Sequence, residues 1–209
     1  MIFTDDVYEQ VDFCGEEIEQ VELSRKKFIN CNFTDVDLSD LSEVFSCTFE
    51  NCRFNRAKLN GVNFRNCAFL SCKFKYATLF ATKFQGCKMT GSDFVDADCA
   101  MISIEDGDWS YTNLRKQSFS KQDLSGVRFF GADLSGCHFR QCKLNDCDFR
   151  EAIVHDTSFY GSDIRKAQLD NLDLSKINLK KAKIDLLQSV TIAEYLTEAK
   201  YVSEKEEKN

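Results

Sequence analysis

The sequence predicts an all-β solenoid closed by a C-terminal α-helix, and three observations carry that prediction. First, a large apolar side chain recurs at every fifth position, as in Phe54, Leu59, Phe64, Phe69 and Phe74. A small residue stands two before each of them: Cys52, Ala57, Val62, Cys67 and Cys72. Helices repeat their apolar residues at three and four and strands at two, so a period of five fits neither alone. It fits a short strand, small-in, polar-out, large-in, followed by a two-residue corner that always turns the same way. Such a unit winds into a coil. Second, eight of the nine glycines (15, 61, 86, 91, 126, 131, 136 and 161) fall two after a central residue, at the corner. Third, the chain has no proline, where about ten would be usual at ~5%. Stacked coils need every backbone N–H for the neighbouring coil, and proline has none.

The elements follow in chain order. A first phase runs Phe3, Tyr8, Phe13, Ile18, Leu23, Phe28, Phe33, Leu38, and a second runs from Val44 to Ile184. Leu38 to Val44 is six, so the register shifts once, near 39–43. Together the phases make 37 units over residues 1–184, and 16 of the 19 phenylalanines lie on central positions. Glu16 and Lys26 occupy inward positions near the N-terminal end, where charge would discourage pairing of a bare strand edge. Around 99–122 the pattern is irregular: Cys99 stands at a central position, Gly107, Gln117 and Gln122 at inward ones, and the only tryptophan, Trp109, follows "EDGD". The buried amides need hydrogen-bond partners there, or the coil must open. Trp109 is expected either to contact a partner or to fill the space left by Gly107.

With these units in view, "ADLSG" at 132–136 and "CDFRE" at 147–151 resemble the pentapeptide-repeat family, whose consensus is A-(D/N)-L-x-x. The resemblance spans nearly the whole chain and implies a right-handed quadrilateral parallel β-helix with four units per coil. Nine coils at about 4.8 Å make a rod of roughly 43 Å. Residues 20 apart would then stack, as in Phe49, Phe69, Met89, Trp109, Phe129 and Phe149.

The C-terminal segment changes period. Leu186, Val190, Ala193, Leu196 and Ala199 have helical spacing, with Asp185 as N-cap and Gln188 closing a capping box. The expected helix covers 185–202, caps the last coil or joins two copies through Leu186, Leu187, Val190, Ala193 and Leu196, and is followed by a disordered tail at 203–209. No signal peptide or membrane span is read from the chain, and a cytoplasmic location is expected.

Catalysis has no visible basis. Phosphate-loop, dinucleotide and paired-histidine zinc motifs are absent, His138 and His155 fall at outward positions, and no metal or cofactor is expected. Nine of eleven cysteines sit at small inward positions, where a thiol serves as a small buried apolar group. Charge is more informative. Residues 1–50 carry 13 acids and 3 bases, 51–91 carry 8 bases and no acid, and 92–108 carry 6 acids and no base. A solenoid turns such blocks into axial bands. Tyr76 and Phe80 lie among the lysines of the basic block, but the flanking acidic bands argue against direct nucleic-acid binding. The candidate partner-binding residues are Asp93, Asp96, Asp98, Glu105, Asp106, Asp108 and Trp109.

Length, the absence of fused domains and the closing "LDNLDLSKINLKKAKIDLLQ" resemble the Qnr-like branch of that family. That resemblance implies a homodimer joined at its C-terminal ends that imitates DNA, binds DNA gyrase or topoisomerase IV, and protects it from quinolones or a toxin. Many members of the branch carry two loops that interrupt the coil; the register from 44 to 184 leaves no room for one. The alternative is a non-enzymatic interaction scaffold with an unrelated partner, for which the uneven banding and the outward Phe45, Phe80, Phe130 and Tyr160 speak.

Overall fold

A computed structural model describes residues 1–202 as about nine stacked coils followed by one helix; the tail at 203–209 lies outside the described residues. All strand pairing is parallel, between short segments one coil apart. The offset is 20 residues at Val7↔Lys27 and Asp12↔Asn32, becomes 21 at Leu23↔Val44, Phe28↔Phe49 and Asp37↔Lys58, and returns to 20 from Glu43↔Asn63 to Asp163↔Lys183. The extra residue is Ser42. Leu41 N–H donates to Leu38 O at 3.0 Å, the corner bond that Val62 makes to Leu59. Ser42 then takes the rung to Val21 O at 2.7 Å, and its own carbonyl accepts from Asn63 N–H at 3.2 Å. It is a one-residue bulge, after which the coil resumes.

Four faces result. The first carries central residues Val44, Phe64, Phe84, Ile104 and Leu124; the second Phe49, Phe69, Met89, Trp109 and Phe129; the third Phe54, Phe74, Phe94, Leu114 and Leu134; the fourth Leu59, Leu79, Cys99, Phe119 and Phe139. All are buried. Rings one coil apart stack nearly parallel: Phe33–Phe54–Phe74–Phe94 at 4.8, 5.1 and 4.6 Å, and Phe28–Phe49–Phe69 at 5.0 and 4.7 Å. Rings on adjacent faces mostly meet edge-on, as do Phe49 and Phe54 at 73°, so a ring such as Phe49 has both favoured aromatic geometries.

The corner residue has positive φ in nearly every unit, glycine or not: 53° at Asn51, 59° at Tyr76, 57° at Met101 and 63° at Lys116. Its N–H donates to the next coil, as Gly61 does to Phe80 O at 2.9 Å. No valine, isoleucine or threonine occupies a left-handed corner, as the steric penalty on β-branched side chains there requires.

Two further regularities explain the repeat. The Asp or Asn before a central residue accepts from the N–H two residues on: Ala100 to Asp98 at 3.0 Å, Ser110 to Asp108 at 3.0 Å, Ser135 to Asp133 at 3.0 Å. These Asx turns open the corner. The small inward residue, when it is Cys, Ser or Thr, in most units donates to the carbonyl of a central residue in the preceding coil: Cys72 to Phe49 at 3.3 Å, Thr82 to Leu59 at 2.7 Å, Cys137 to Leu114 at 2.8 Å; Thr112 instead donates to Trp109 O in its own coil, and Cys47 to Phe45 O. Each of the nine cysteines at inward positions is therefore a weak donor as well as a space-filler. The cysteines are free and ten of the eleven are buried. Burial pushes Cys99, Cys137 and Cys147 up to about 12, and a protonated thiol is a poor nucleophile. Titration of native protein with a thiol reagent is expected to modify Cys14 quickly and the rest only on unfolding; rapid modification of several thiols would show that the coils open.

The helix spans Leu186–Thr197 and ends at Glu198, which has a left-handed φ of 59°, short of the 202 expected. Its capping box forms as predicted: Gln188 N–H donates to Asp185 at 3.0 Å and Asp185 N–H to Gln188 Oε1 at 3.1 Å. The apolar stripe does not do the capping. Gln188 is buried and its amide donates to Ile164 O at 2.6 Å and Ala167 O at 2.9 Å, while Ile192, one turn on, packs against the core and Tyr195 bonds Asp173. Leu186, Leu187, Ala193 and Leu196 are exposed and Val190 is half-buried. The first turn docks onto the last coil end-on through a polar plug, so the leucines face away from the solenoid.

Candidate interaction surface

The acidic residues singled out in the sequence surround the rod instead of forming a patch. Asp93 lies on the third face, Asp96 at the third-to-fourth corner, Asp98 on the fourth face, Glu105 on the first, Asp106 at the first-to-second corner and Asp108 on the second. Three of them serve the fold as Asx acceptors, Asp93 for Val95 N–H, Asp98 for Ala100 N–H and Asp108 for Ser110 N–H. Glu105 accepts from Gln85 at 2.7 Å. Of the six, only Asp108 forms an ion pair among the described residues, with Arg128 at 3.6 Å.

Trp109 requires a correction. It is fully buried, at 0% exposure, packed edge-on to Phe84 at 5.5 Å and stacked on Phe94 at 5.6 Å. It cannot touch a partner; it fills the core beside Gly107, the other expectation raised for it. Its Nε1 has no hydrogen-bond partner among the described residues. The inward amides are satisfied, Gln117 by Phe94 O and Ala97 O at 3.3 and 3.1 Å and Gln122 by Ile102 O at 2.7 Å. Glu16, by contrast, is exposed, and Lys26 reaches out to Asp6 at 3.0 Å.

Pairing across coils explains part of the banding. The N-terminal acids bind three of the first four bases of the next band: Arg56–Asp35 at 2.6 Å, Lys58–Asp37 at 3.0 Å and Arg65–Glu43 at 2.9 Å. Above the acidic ring, Arg128 lies between Asp108 and Asp148, and Lys143 binds Asp123 at 2.9 Å. Arg53, Lys73, Lys75, Lys83 and Lys88 make no ion pair among the described residues. The Arg165 guanidinium, bonded at 2.8 and 2.6 Å, holds Asp163 down to about 2, and Arg150 holds Asp148 below the usual carboxylate range. A depressed folded-state value gives stability that is present above the unfolded value of about 3.9 and is lost as pH falls towards the folded one. Thermal stability is thus expected to be flat from pH 7 to 5 and to fall between about 4 and 2; a decline beginning near 6 would contradict these pairs. Each exposed pair contributes little by itself.

No group of three or more His, Cys, Asp or Glu among the described residues is placed to hold a metal, and no helix there is long and apolar enough to cross a membrane. Surface depressions are open, such as the one of about 180 Å³ between Lys166–Asp170 and the start of the helix. The fold and its surface define a repeat scaffold that presents side chains outward from a rod. The family profile described as pentapeptide repeats (8 copies) matches residues 47–86, and that described as pentapeptide repeat region matches 102–179, together more than half of the chain. The chain belongs to the pentapeptide-repeat family. Among solved structures it is similar to a trypsin-treated form of QnrB1, a plasmid-mediated fluoroquinolone resistance protein, with TM-score 0.76, 25% identity, and coverage of 94% of this chain and 97% of that one. Full-length QnrB1 matches with TM-score 0.70, 24% identity, and coverage of 91% and 99%. HetL, a pentapeptide-repeat protein of the cyanobacterium Nostoc involved in heterocyst differentiation regulation, shares the fold with TM-score 0.52, 16% identity, and coverage of 85% and 84%. No curated protein matches in sequence.

Proposed function

We propose that this protein is a non-enzymatic, cytoplasmic pentapeptide-repeat protein that binds a type II topoisomerase, DNA gyrase or topoisomerase IV, in place of DNA and protects it from quinolones or a toxin. The observation that carries this reading is the likeness to QnrB1 over 94% of the chain. Magnitudes refine the mimicry. Duplex DNA carries one charge per ≈ 1.7 Å, so a 43 Å length holds about 25 negative charges. This chain has a net charge of −7, and many of its acids are paired with bases. Mimicry therefore works through rod shape and a local ring of carboxylates that form no ion pair among the described residues, Asp93, Asp96, Asp98, Glu105 and Asp106, and not through overall charge density. The exposed Leu186, Leu187 and Leu196 form the contact of a homodimer joined through its C-terminal ends.

The test is gyrase supercoiling with and without a quinolone while the protein is titrated. Restored supercoiling in the presence of the drug is expected at micromolar protein; neither inhibition nor rescue there would end the topoisomerase reading. For the dimer, sedimentation of the full chain should give twice the monomer mass, and the double variant Leu186→Ser, Leu187→Ser should give a monomer. A second reading, a scaffold for an unrelated partner, is favoured by the unpaired bases Lys73, Lys75, Lys83 and Lys88, which interrupt any DNA-like surface.

A further inference from the structure

Away from both ends of the rod, one place combines exposed apolar side chains with unpaired charge of both signs. Phe80 is 49% exposed, Met101 72% and Tyr76 55%. Phe80 ends the fourth face in one coil and Met101 is the corner residue of the next. Between them lie Ala81 and Ala100, joined by the Ala81 N–H bond to Ala100 O at 3.1 Å. Tyr76 stands at the other corner of the same face, with Lys75 Nζ at 5.0 Å from its ring centroid.

Charge frames this patch asymmetrically. Lys73 and Lys75 flank it beyond the Tyr76 corner and Lys83 beyond the Ala81 corner, all in the Phe80 coil. Asp96 and Asp98 lie on the same side of the rod in the Met101 coil. None of the five forms an ion pair among the described residues. The positive row and the negative row are one coil, about 4.8 Å, apart, well inside the physiological Debye length of about 8 Å. A uniformly negative polymer drawn to the lysines would meet the two aspartates unscreened. The patch therefore fits a partner that is itself bipolar, with an apolar strip between carboxylates on one edge and ammonium or guanidinium groups on the other.

The backbone selects the shape of that partner. Phe80's own backbone groups are both taken by the preceding coil, Gly61 N–H donating to Phe80 O at 2.9 Å and Phe80 N–H to Asn60 Oδ1 at 3.0 Å, and the next residue, Ala81, donates its N–H to Ala100 O of the following coil at 3.1 Å. No strand edge is open there, so an extended segment would lie on apolar ground with its backbone groups unpaired. A helix satisfies its own backbone and offers only side chains.

We propose that Phe80, Met101 and Tyr76, framed by Lys73, Lys75 and Lys83 and by Asp96 and Asp98, dock an amphipathic helix of a partner protein. Its apolar stripe covers Phe80 and Met101, its acidic edge meets the lysines and its basic edge meets the aspartates. This surface is separate from the C-terminal contact and does not depend on the topoisomerase reading.

The experiment uses fluorescence anisotropy with three labelled synthetic helical peptides that share a Leu/Phe stripe. One carries Glu on one flank and Lys on the other, one Glu on both, one Lys on both; labelled oligothymidine is the fourth probe. The full-length protein should bind the bipolar peptide with a Kd on the order of 100 μM or tighter, and each single-sign peptide more weakly. Phe80→Ser with Met101→Ser should weaken binding at least about tenfold, as should Lys73→Glu with Lys75→Glu. These side chains point outward, so circular dichroism and thermal midpoint should stay unchanged and separate lost docking from lost folding. Equal binding by wild type and the Phe80/Met101 variant, no preference for the bipolar peptide, no binding to 1 mM, or tighter binding of oligothymidine would each overturn the proposal.

Discussion

Replacing Gly107 by alanine is expected to destabilise the solenoid by more than about 3 kcal/mol and to lower the urea midpoint accordingly. Gly107 stands at a small inward position with φ 112°, and a Cβ placed there would lie 2.3 Å from Cys87 O and 3.1 Å from Cys87 N. Both atoms are backbone of a paired strand, since Cys87 and Gly107 are register partners. Relief would therefore require two coils to part. Gly126→Ala provides the contrast: its φ is 79°, but nothing lies within 4 Å of the added carbon, so only the left-handed backbone penalty of about 1 kcal/mol applies. Equal losses in the two variants would mean that conformation alone, and not the close approach of neighbouring coils, makes Gly107 necessary.

Trp109→Ala is the second large effect, expected at about 3–5 kcal/mol because a fully buried aromatic side chain leaves a cavity that stacked coils cannot collapse to fill. Trp109→Phe should cost far less. The indole N–H has no partner to lose among the described residues, and a phenyl ring can keep contact with Phe84 and Phe94. Denaturation monitored by circular dichroism measures both variants. Because Trp109 is the only tryptophan, its fluorescence adds a check: native emission should be blue-shifted and resistant to iodide. Strong quenching would place the ring at the surface after all.

What sequence reading reaches in this chain depends on whether a residue's role follows from its phase. Phase decides burial, so the phenylalanine stacks, the left-handed corners and the one-residue slip before Val44 were all legible. Bonds between coils are less so. Nothing in the spacing of Asp98 or Asp133 announces that its carboxylate caps a corner, and nothing distinguishes a thiol that only fills space from Cys137, which donates to Leu114 O. Trp109 lay on a central position, and its phase alone placed it inside; its acidic neighbours drew it into the candidate surface wrongly. The acidic ring appeared as a cluster because its residues are adjacent in sequence, although one coil distributes 20 residues over four faces. At the C-terminus the apolar stripe of the helix was visible, but which face meets the solenoid was not. There a buried glutamine pairing with the carbonyls of Ile164 and Ala167 outweighs the stripe, because the end of a solenoid presents unpaired backbone groups that a leucine cannot satisfy. The Phe80–Met101 patch was half visible: Phe80 stood out as an outward aromatic, while Met101, 21 residues on, comes beside it only when the coils stack.

The proposed function requires that this rod take the place of DNA on a topoisomerase. The direct test is binding of purified gyrase to the immobilised full-length protein, followed by a titration of linear duplex DNA. Saturable binding that the duplex displaces is the predicted result. No binding, or a ternary complex in which gyrase holds both the duplex and this protein undiminished, would contradict it.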